Sequence, residues 1–171
     1  MDEKELMEII RKGECHITEF KKATTDISQD VYASICAFSN RDGGHILLGV
    51  KDNGEILGID PQRLDKMKKD FVTAVSNPNK MYPPLFLAPV EYKFQGRSIL
   101  YIYVPVGTQV CRCAGRIYDR NHEADIDITD REELVYKLYA RKQDTYFVNK
   151  VLNFPMFDRT VFFRLVAWRE R

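Results

Sequence analysis

The sequence predicts an α+β domain, a two-layer sandwich in which a mixed or antiparallel β-sheet packs against helices. Three observations lead there. Three segments place apolar residues at helical spacing and a capping box opens a fourth helix, short apolar runs with strand character lie between them, and tight-turn dipeptides such as Asn53-Gly54 and Gln95-Gly96 separate adjoining runs. At 171 residues the chain is long enough for one domain with a hydrophobic core. The reading is a domain over residues 1–143 and an aromatic-rich extension over 144–171 that begins a following region in a longer protein.

Taken in order, residues 2–12 set Leu6, Ile9 and Ile10 on one helical face and stop at Gly13, a residue favoured just past a helix end. Cys15 to Lys22 then alternates as a strand, with Cys15, Ile17, Glu19 and Lys21 on one face and His16, Thr18 and Phe20 on the other. Ser28 to Asn40 carries Val31, Ile35 and Phe38 at helical spacing, with Asp26 or Ser28 available as N-cap. His45 to Lys51 is a nearly all-apolar central strand, and Asp52-Asn53-Gly54 turns it into Glu55 to Ile59 as a hairpin.

Asp60-Pro61 announces a third helix with Leu64, Met67, Phe71, Val72 and Val75 as its buried stripe, ended by Pro78. Leu85 to Phe94 and Arg97 to Val104 form a hairpin about Gln95-Gly96, and Val110 to Tyr118 is further strand around Gly115. Thr129-Asp130-Arg131-Glu132 is a capping box that opens a fourth helix, through about Arg141. The tail from Tyr146 to Arg171 holds Phe147, Phe154, Phe157, Phe162, Phe163 and Trp168. It is too apolar for a free linker and is expected to pack on this domain, on a second copy in a homodimer, or on a C-terminal partner domain, which makes a protein-interaction or oligomerisation module one of the readings of function.

Composition narrows the class of function. Lys and Arg total 26 against 25 for Asp and Glu, a formal net charge of +1, so any nucleic-acid contact must come from a local patch rather than overall attraction. The apolar runs fall well short of the roughly 20 residues needed to span a bilayer, and the acidic, amphipathic start does not resemble a secretory signal. A cytoplasmic protein with no membrane partner is the expectation. The four cysteines form no CxxC pair and are expected as free thiols, Cys15 and Cys36 in the core. Cys111 and Cys113 share a strand face near His122, which falls one ligand short of a recognisable zinc site.

Gly13-Glu-Cys-His-Ile-Thr-Glu-Phe-Lys21, then a helix ending Ala37-Phe-Ser-Asn40, then the run from Gly43 through His45, Lys51-Asp52-Asn53-Gly54 and on to Ile59 occur in that order. Together they resemble the AlbA-like domain of Schlafen proteins and of many bacterial transcriptional regulators. The motif pieces cover roughly residues 13–59, and the order of later elements extends the likeness to about residue 142. Some members were once grouped as divergent AAA ATPases, but the sequence contains no GxxxxGK[ST] loop, so neither ATP hydrolysis nor a nucleotide cofactor is expected. The family commonly follows a Tyr-x-Arg strand end closely with Gly; Tyr118-Asp119-Arg120-Asn121-His122 keeps the Tyr and Arg without that Gly. In bacteria the module is usually joined to a helicase-like or winged-helix region, for which residues 144–171 are too few.

The resemblance implies a nucleic-acid-binding domain of a transcriptional regulator, on DNA or RNA. Schlafen ribonucleases cleave structured RNA with three carboxylates whose positions match Glu14, Glu19 and Asp52, which would make this chain a Mg- or Mn-dependent endoribonuclease. Oxygen donors suit either ion, which could activate a water and neutralise phosphate. Five residues separate Glu14 from Glu19, so a regular strand would put them on opposite faces, and Glu14 must sit in the turn after Gly13. Lys21, on the Glu19 face, is the expected phosphate partner or catalytic helper, with Lys22, Asn40 and Arg41 close by. Arg112, Arg116 and Arg120 recur every four residues, an even spacing that places them in one row on a strand as a second phosphate-contact candidate. The acidic stretch 119–130 reads as a loop rather than a calcium site, since Ala124 stands where glycine is required. His45 reads as a hydrogen-bonded structural residue.

Overall fold

The computed structural model describes residues 2–152, and side chains as far as Gln143. Its order is α1 (Glu3–Lys12), β1 (Thr18–Lys21), α2 (Gln29–Asn40), β2 (Gly44–Leu48), α3 (Leu64–Ser76), β3 (Met81–Tyr82), β4 (Val90–Phe94), β5 (Arg97–Val104), β6 (Arg112–Cys113), β7 (Tyr118–Asn121), β8 (Ala124–Asp127) and α4 (Glu132–Leu152). This is an α+β fold. A four-stranded sheet runs β1-β2-β5-β4, and β3/β6 and β7/β8 form two small ribbons. β1 and β2 are parallel, while β2/β5 and β4/β5 are antiparallel. Parallel neighbours need a long crossover, and α2 supplies it.

Strand alternation sorts the sheet into two apolar faces. Ile46, Leu48, Leu100, Ile102 and Val104 pack with Val31, Ile35 and Phe38 of α2 and with Leu64, Met67, Phe71 and Val75 of α3. Phe20, Leu47, Ile99 and Tyr101 face the other way, onto Leu6 and Ile10 of α1. The sheet-on-helix sandwich is thus supplemented by α1 on the opposite face.

Local signals explain the elements that form as expected. Asp2 and Glu5 exchange backbone hydrogen bonds of 2.8 Å in a capping box, and Gly13 ends α1 at φ +82°. The β4–β5 turn uses Gln95 and Gly96 at φ +50° and +79°, the pair of left-handed residues that a two-residue hairpin needs. Gly44 is demanded by space: a Cβ there would stand 2.8 Å from both the Ile17 carbonyl oxygen and the Phe38 ring.

Other expectations are corrected. Residues 15–17 are a turn closed by a Cys15–Thr18 bridge, so the first strand starts only at Thr18. Cys15 is half-buried, while Cys36, Cys111 and Cys113 are buried free thiols. The hairpin after β2 shrinks to one Val50–Ile56 bridge, because Leu57 and Gly58 both bond back to the Gly49 carbonyl. α3 begins at Leu64, after Asp60 has formed a turn by accepting from Gln62, and Val72 points to solvent. Residues 85–89 are not strand. The acidic stretch is not a loop but the β7–β8 hairpin, and His122 at φ +54° takes the left-handed turn position. Thr129 does not cap α4: its hydroxyl accepts from Ile117 N–H and donates to Asp127. α4 continues past Arg141 to Leu152, and no described helix is long and apolar enough to cross a membrane. The aromatic residues from Asn153 onward, Trp168 among them, lie outside the described residues.

Candidate functional site

Gly13 lets the chain turn out of α1, and Glu14 follows it before β1 begins, as its spacing from Glu19 requires. There the Glu14 carboxylate accepts the Phe20 N–H at 2.8 Å, fixing it against the start of the sheet. Glu19 and Lys21 share the β1 face toward α2, and Asp52 leads the turn after β2. Glu14, Glu19, Lys21, Lys22, Asp30 and Asp52 line one open depression of about 410 Å³. The three carboxylates singled out in the sequence therefore meet at one surface. Burial raises the Glu14 carboxyl above its ordinary value, the Phe20 N–H opposes the shift, and the negative charges of Glu19 and Asp52 add to it.

Glu19 is not a free carboxylate. Lys21 stands 2.8 Å from one of its oxygens and Arg120 2.7 Å from the other. Lys21 also pairs with Asp30 at 3.0 Å, which reaches in from the first turn of α2. Burial works against the Lys21 ammonium, but the hydrogen bonds and charges of Glu19 and Asp30 outweigh it and push it up to about 12.

This pairing bears on a metal. The oxygen donors have the right chemistry for Mg or Mn, but an ion on Glu19 would face the Lys21 ammonium and the Arg120 guanidinium across the same carboxylate. Among the described residues no three His, Cys, Asp or Glu side chains are arranged to hold a metal ion. As arranged, Glu14, Glu19 and Asp52 do not fit a resident cation, and Cys111, Cys113 and His122 do not form a zinc site.

The arginine row does not form. It would need one continuous strand, and the chain instead breaks at Ala114 and Gly115, both left-handed, between β6 and β7. Arg112 donates to the Tyr139 hydroxyl at 3.1 Å, and Arg116 pairs with Asp127. Arg120 is 3% exposed. Its guanidinium donates to Glu19, to Asp125 at 2.8 Å, and to the carbonyls of Cys15 and His16 at 3.1 and 3.0 Å, and it lies 4.5 Å from the Phe38 ring centre. It is the hub that fixes Glu19 and ties the β7–β8 hairpin to the turn before β1.

Asn40 is likewise no surface contact. It is fully buried at the end of α2, accepts from Cys111 N–H at 2.7 Å and donates to the carbonyls of Cys111 and Tyr118 at 2.9 and 2.8 Å. Arg41 stays at the surface in a bidentate pair with Asp119, at 2.9 and 2.6 Å. Together with His16, Asp42, Arg120, Asn121 and His122 it lines a second depression of about 290 Å³. Arg120 thus stands between the two depressions.

Two structural residues escaped the sequence reading. Asp119, 9% exposed, holds Arg41, and Lys142 of α4 is buried with its ammonium donating at 2.8 Å to the carbonyls of Ser39 and Gly107. A lysine in the middle of a long helix carries no local sign that it caps the end of α2.

No curated protein matches the sequence. Among solved structures, the DIP2311 protein from Corynebacterium diphtheriae is similar at 15% identity and a TM-score of 0.50, over 66% of this chain and 25% of its own. This chain therefore spans a quarter of that protein's length, and the likeness is one of fold. The N-terminal domain of a RecG-related protein of Nitrosomonas europaea, named after ATP-dependent DNA helicases, is similar at 23% identity and a TM-score of 0.45, over 60% of this chain and 71% of that one. The family model described as Schlafen, AlbA_2 matches residues 14–129. Those residues contain β1 through β8 with both depressions and make up well over half of the sequence, so the chain belongs to the Schlafen AlbA_2 family.

Proposed function

We propose that the domain binds nucleic acid, DNA or RNA, as a module of a transcriptional regulator. The observation that carries this reading is the meeting of motif segments far apart in sequence, Glu14 to Lys22 and Asp52, at one solvent-open depression. Electrostatics divides the surface. Four carboxylates against Lys21 and Lys22 leave the first depression negative, so a phosphate approaches it at the rim, where Lys22 is exposed and makes no ion pair among the described residues. The second depression offers Arg41 with His16 and His122. Such contacts position a phosphate backbone and say nothing of sequence.

The test is fluorescence anisotropy of labelled hairpin RNA and duplex DNA at several salt concentrations, with Mn²⁺ or with chelator. Salt-sensitive binding is expected, and Lys22→Ala should make the slope of log affinity against log salt shallower by about one. Absence of binding at moderate salt would sink the reading.

A metal-dependent endoribonuclease is the second reading, favoured by the convergence of Glu14, Glu19 and Asp52 with Lys21 beside them. It requires Lys21 to leave Glu19. The same assay separates the two: Mn²⁺-dependent cleavage that disappears in Glu19→Gln would put the nuclease first, and binding without cleavage supports the regulator module.

A further inference from the structure

The four-stranded sheet has two edges, β1 and β4, and they are finished differently. On β1 the backbone groups that face away from β2 are largely occupied: Thr18 exchanges hydrogen bonds of 3.0 and 3.1 Å with Cys15, and Glu14 takes the Phe20 N–H. On β4 they are open. Phe94 and Arg97 flank the two-residue turn and pair through hydrogen bonds, so by alternation Tyr92–Ile99 and Val90–Tyr101 are the next bonded pairs. Ser98 fixes the phase, since its carbonyl turns to the other side of β5 and accepts from the Ile59 N–H at 2.8 Å. The N–H and C=O of Glu91 and Lys93 therefore point out of the sheet, and among the described residues no backbone hydrogen bond reaches them.

An open edge is a template for another strand, and lysine is a common guard against unwanted pairing. Lys93, with its side chain 73% exposed, guards this one. The guard discriminates, because the edge is complementary to itself. In an antiparallel pair of two β4 strands, outward-facing residues must oppose outward-facing ones. Setting Glu91 against Glu91, or Lys93 against Lys93, brings like charges face to face, which is destabilising. The register centred on Tyr92 instead sets Glu91 of each copy against Lys93 of the other, and each of these pairs exchanges two N–H···O bonds. Lys68 and Ser98 hold the Glu91 carboxylate at 2.7 and 2.8 Å, so its charge is fixed on the α3 face where the second copy's lysine arrives, while its own Lys93 stands off at 3.9 Å. Val90, 47% exposed, falls against Phe94 on the other face. Pro89 has no N–H to donate and ends the ladder.

We propose that β4 is a docking edge for a second copy of this chain, paired antiparallel about a twofold axis at Tyr92 so that the two sheets become one continuous sheet. The axis stands perpendicular to that sheet, with α1 of both copies on one face and α2 and α3 of both on the other. This assembly is independent of the nucleic-acid reading above. β1, with Glu19 and Lys21, is the opposite edge, so the depression each copy carries there stays open at either end of the combined sheet.

The test is sedimentation velocity of the full 171-residue chain over a range of concentrations, for the wild type, Lys93→Ala, Lys93→Glu, Glu91→Lys and a mixture of the last two. Lys93 is exposed, so its variants should fold, which an unchanged melting temperature verifies. The wild type is expected to dimerise. Lys93→Ala should weaken the dimer by about twofold or more and Lys93→Glu by roughly tenfold or more, because the twofold axis doubles each lost attraction and each new repulsion. In the mixture, a heterodimer of Lys93→Glu with Glu91→Lys restores both opposite-charge pairs and should regain the association that each variant lacks alone. A wild type that stays monomeric at every concentration overturns the proposal, as does a dimer that Lys93→Glu leaves intact. Single variants that are monomeric both apart and mixed show that the register centred on Tyr92 is wrong, and the proposal falls. Should Glu91→Lys fail to fold once it faces Lys68, the ranking of dimer affinity from wild type through Lys93→Ala to Lys93→Glu decides, and any other order sinks the edge.

Discussion

Replacing Arg120 with methionine removes the guanidinium while keeping an unbranched side chain of similar length in a site where the native side chain is 1% exposed. Four hydrogen bonds disappear, to Glu19, Asp125, Cys15 O and His16 O. Among the described residues, Asp125 keeps the Ser34 hydroxyl at 2.6 Å as its side-chain partner and Glu19 keeps Lys21. Removing one partner from a buried ion pair costs about 3–5 kcal/mol, because the other charge stays buried without compensation. For a domain whose total stability is on the order of 5–15 kcal/mol, this translates into a melting temperature lower by about 6–20 °C. Thermal and urea denaturation followed by circular dichroism measure it. Glu19→Gln adds the control: it should destabilise the wild type but be nearly neutral in the Arg120→Met background, a coupling of about 1 kcal/mol or more. An Arg120→Met melting temperature within about 2 °C of wild type, or a Glu19→Gln effect equal in both backgrounds, would refute the hub.

Three further outcomes follow from the same structure. Asn40→Ala deprives Cys111 and Tyr118 of buried partners and should lower stability by about 3 kcal/mol, seen as a shifted urea midpoint. Gly44→Ala forces a Cβ against the Ile17 carbonyl and the Phe38 ring and should cost at least about 1–3 kcal/mol by the same measurement. Hydrogen bonds from Thr129 N–H and hydroxyl, aided by Arg116, depress Asp127 to about 2. A depressed carboxylate contributes stability that is present above its unfolded value near pH 4 and lost as pH falls toward 2. Asp127→Asn should therefore melt lower than wild type at pH 7 and converge with it near pH 2; a constant difference between the two would contradict the assignment.

What the sequence determined was what short-range physics can encode. The capping box at Asp2 and Glu5, the Gly13 stop, the apolar spacing of α2 and α3, and the left-handed Gln95-Gly96 turn each act within a few residues, so α1, α2, α3 and the β4–β5 hairpin were legible. The meeting of Glu14, Glu19 and Asp52 was legible only through the family's ordered motif, since nothing local draws a turn residue and a strand carboxylate together. His45 was rightly read as hydrogen-bonded, because a polar ring inside an apolar strand needs a partner. Tertiary structure decided the rest. Arg120 and Asn40, both expected at the nucleic-acid surface, are buried, and of the groups they bond, Cys111, Tyr118, Glu19, Cys15 and His16 lie 71 to 105 residues away in the chain, though Asp125 does not. Even spacing of Arg112, Arg116 and Arg120 would have made a row only on an unbroken strand, and the left-handed pair Ala114-Gly115 breaks it. The cluster of Phe20, Leu47, Ile99 and Tyr101 beneath α1 needs β1, β2 and β5 side by side in one register. A sequence specifies such alignment only through the packing of both sheet faces, so neighbours in space remain strangers in the chain until the sheet has formed.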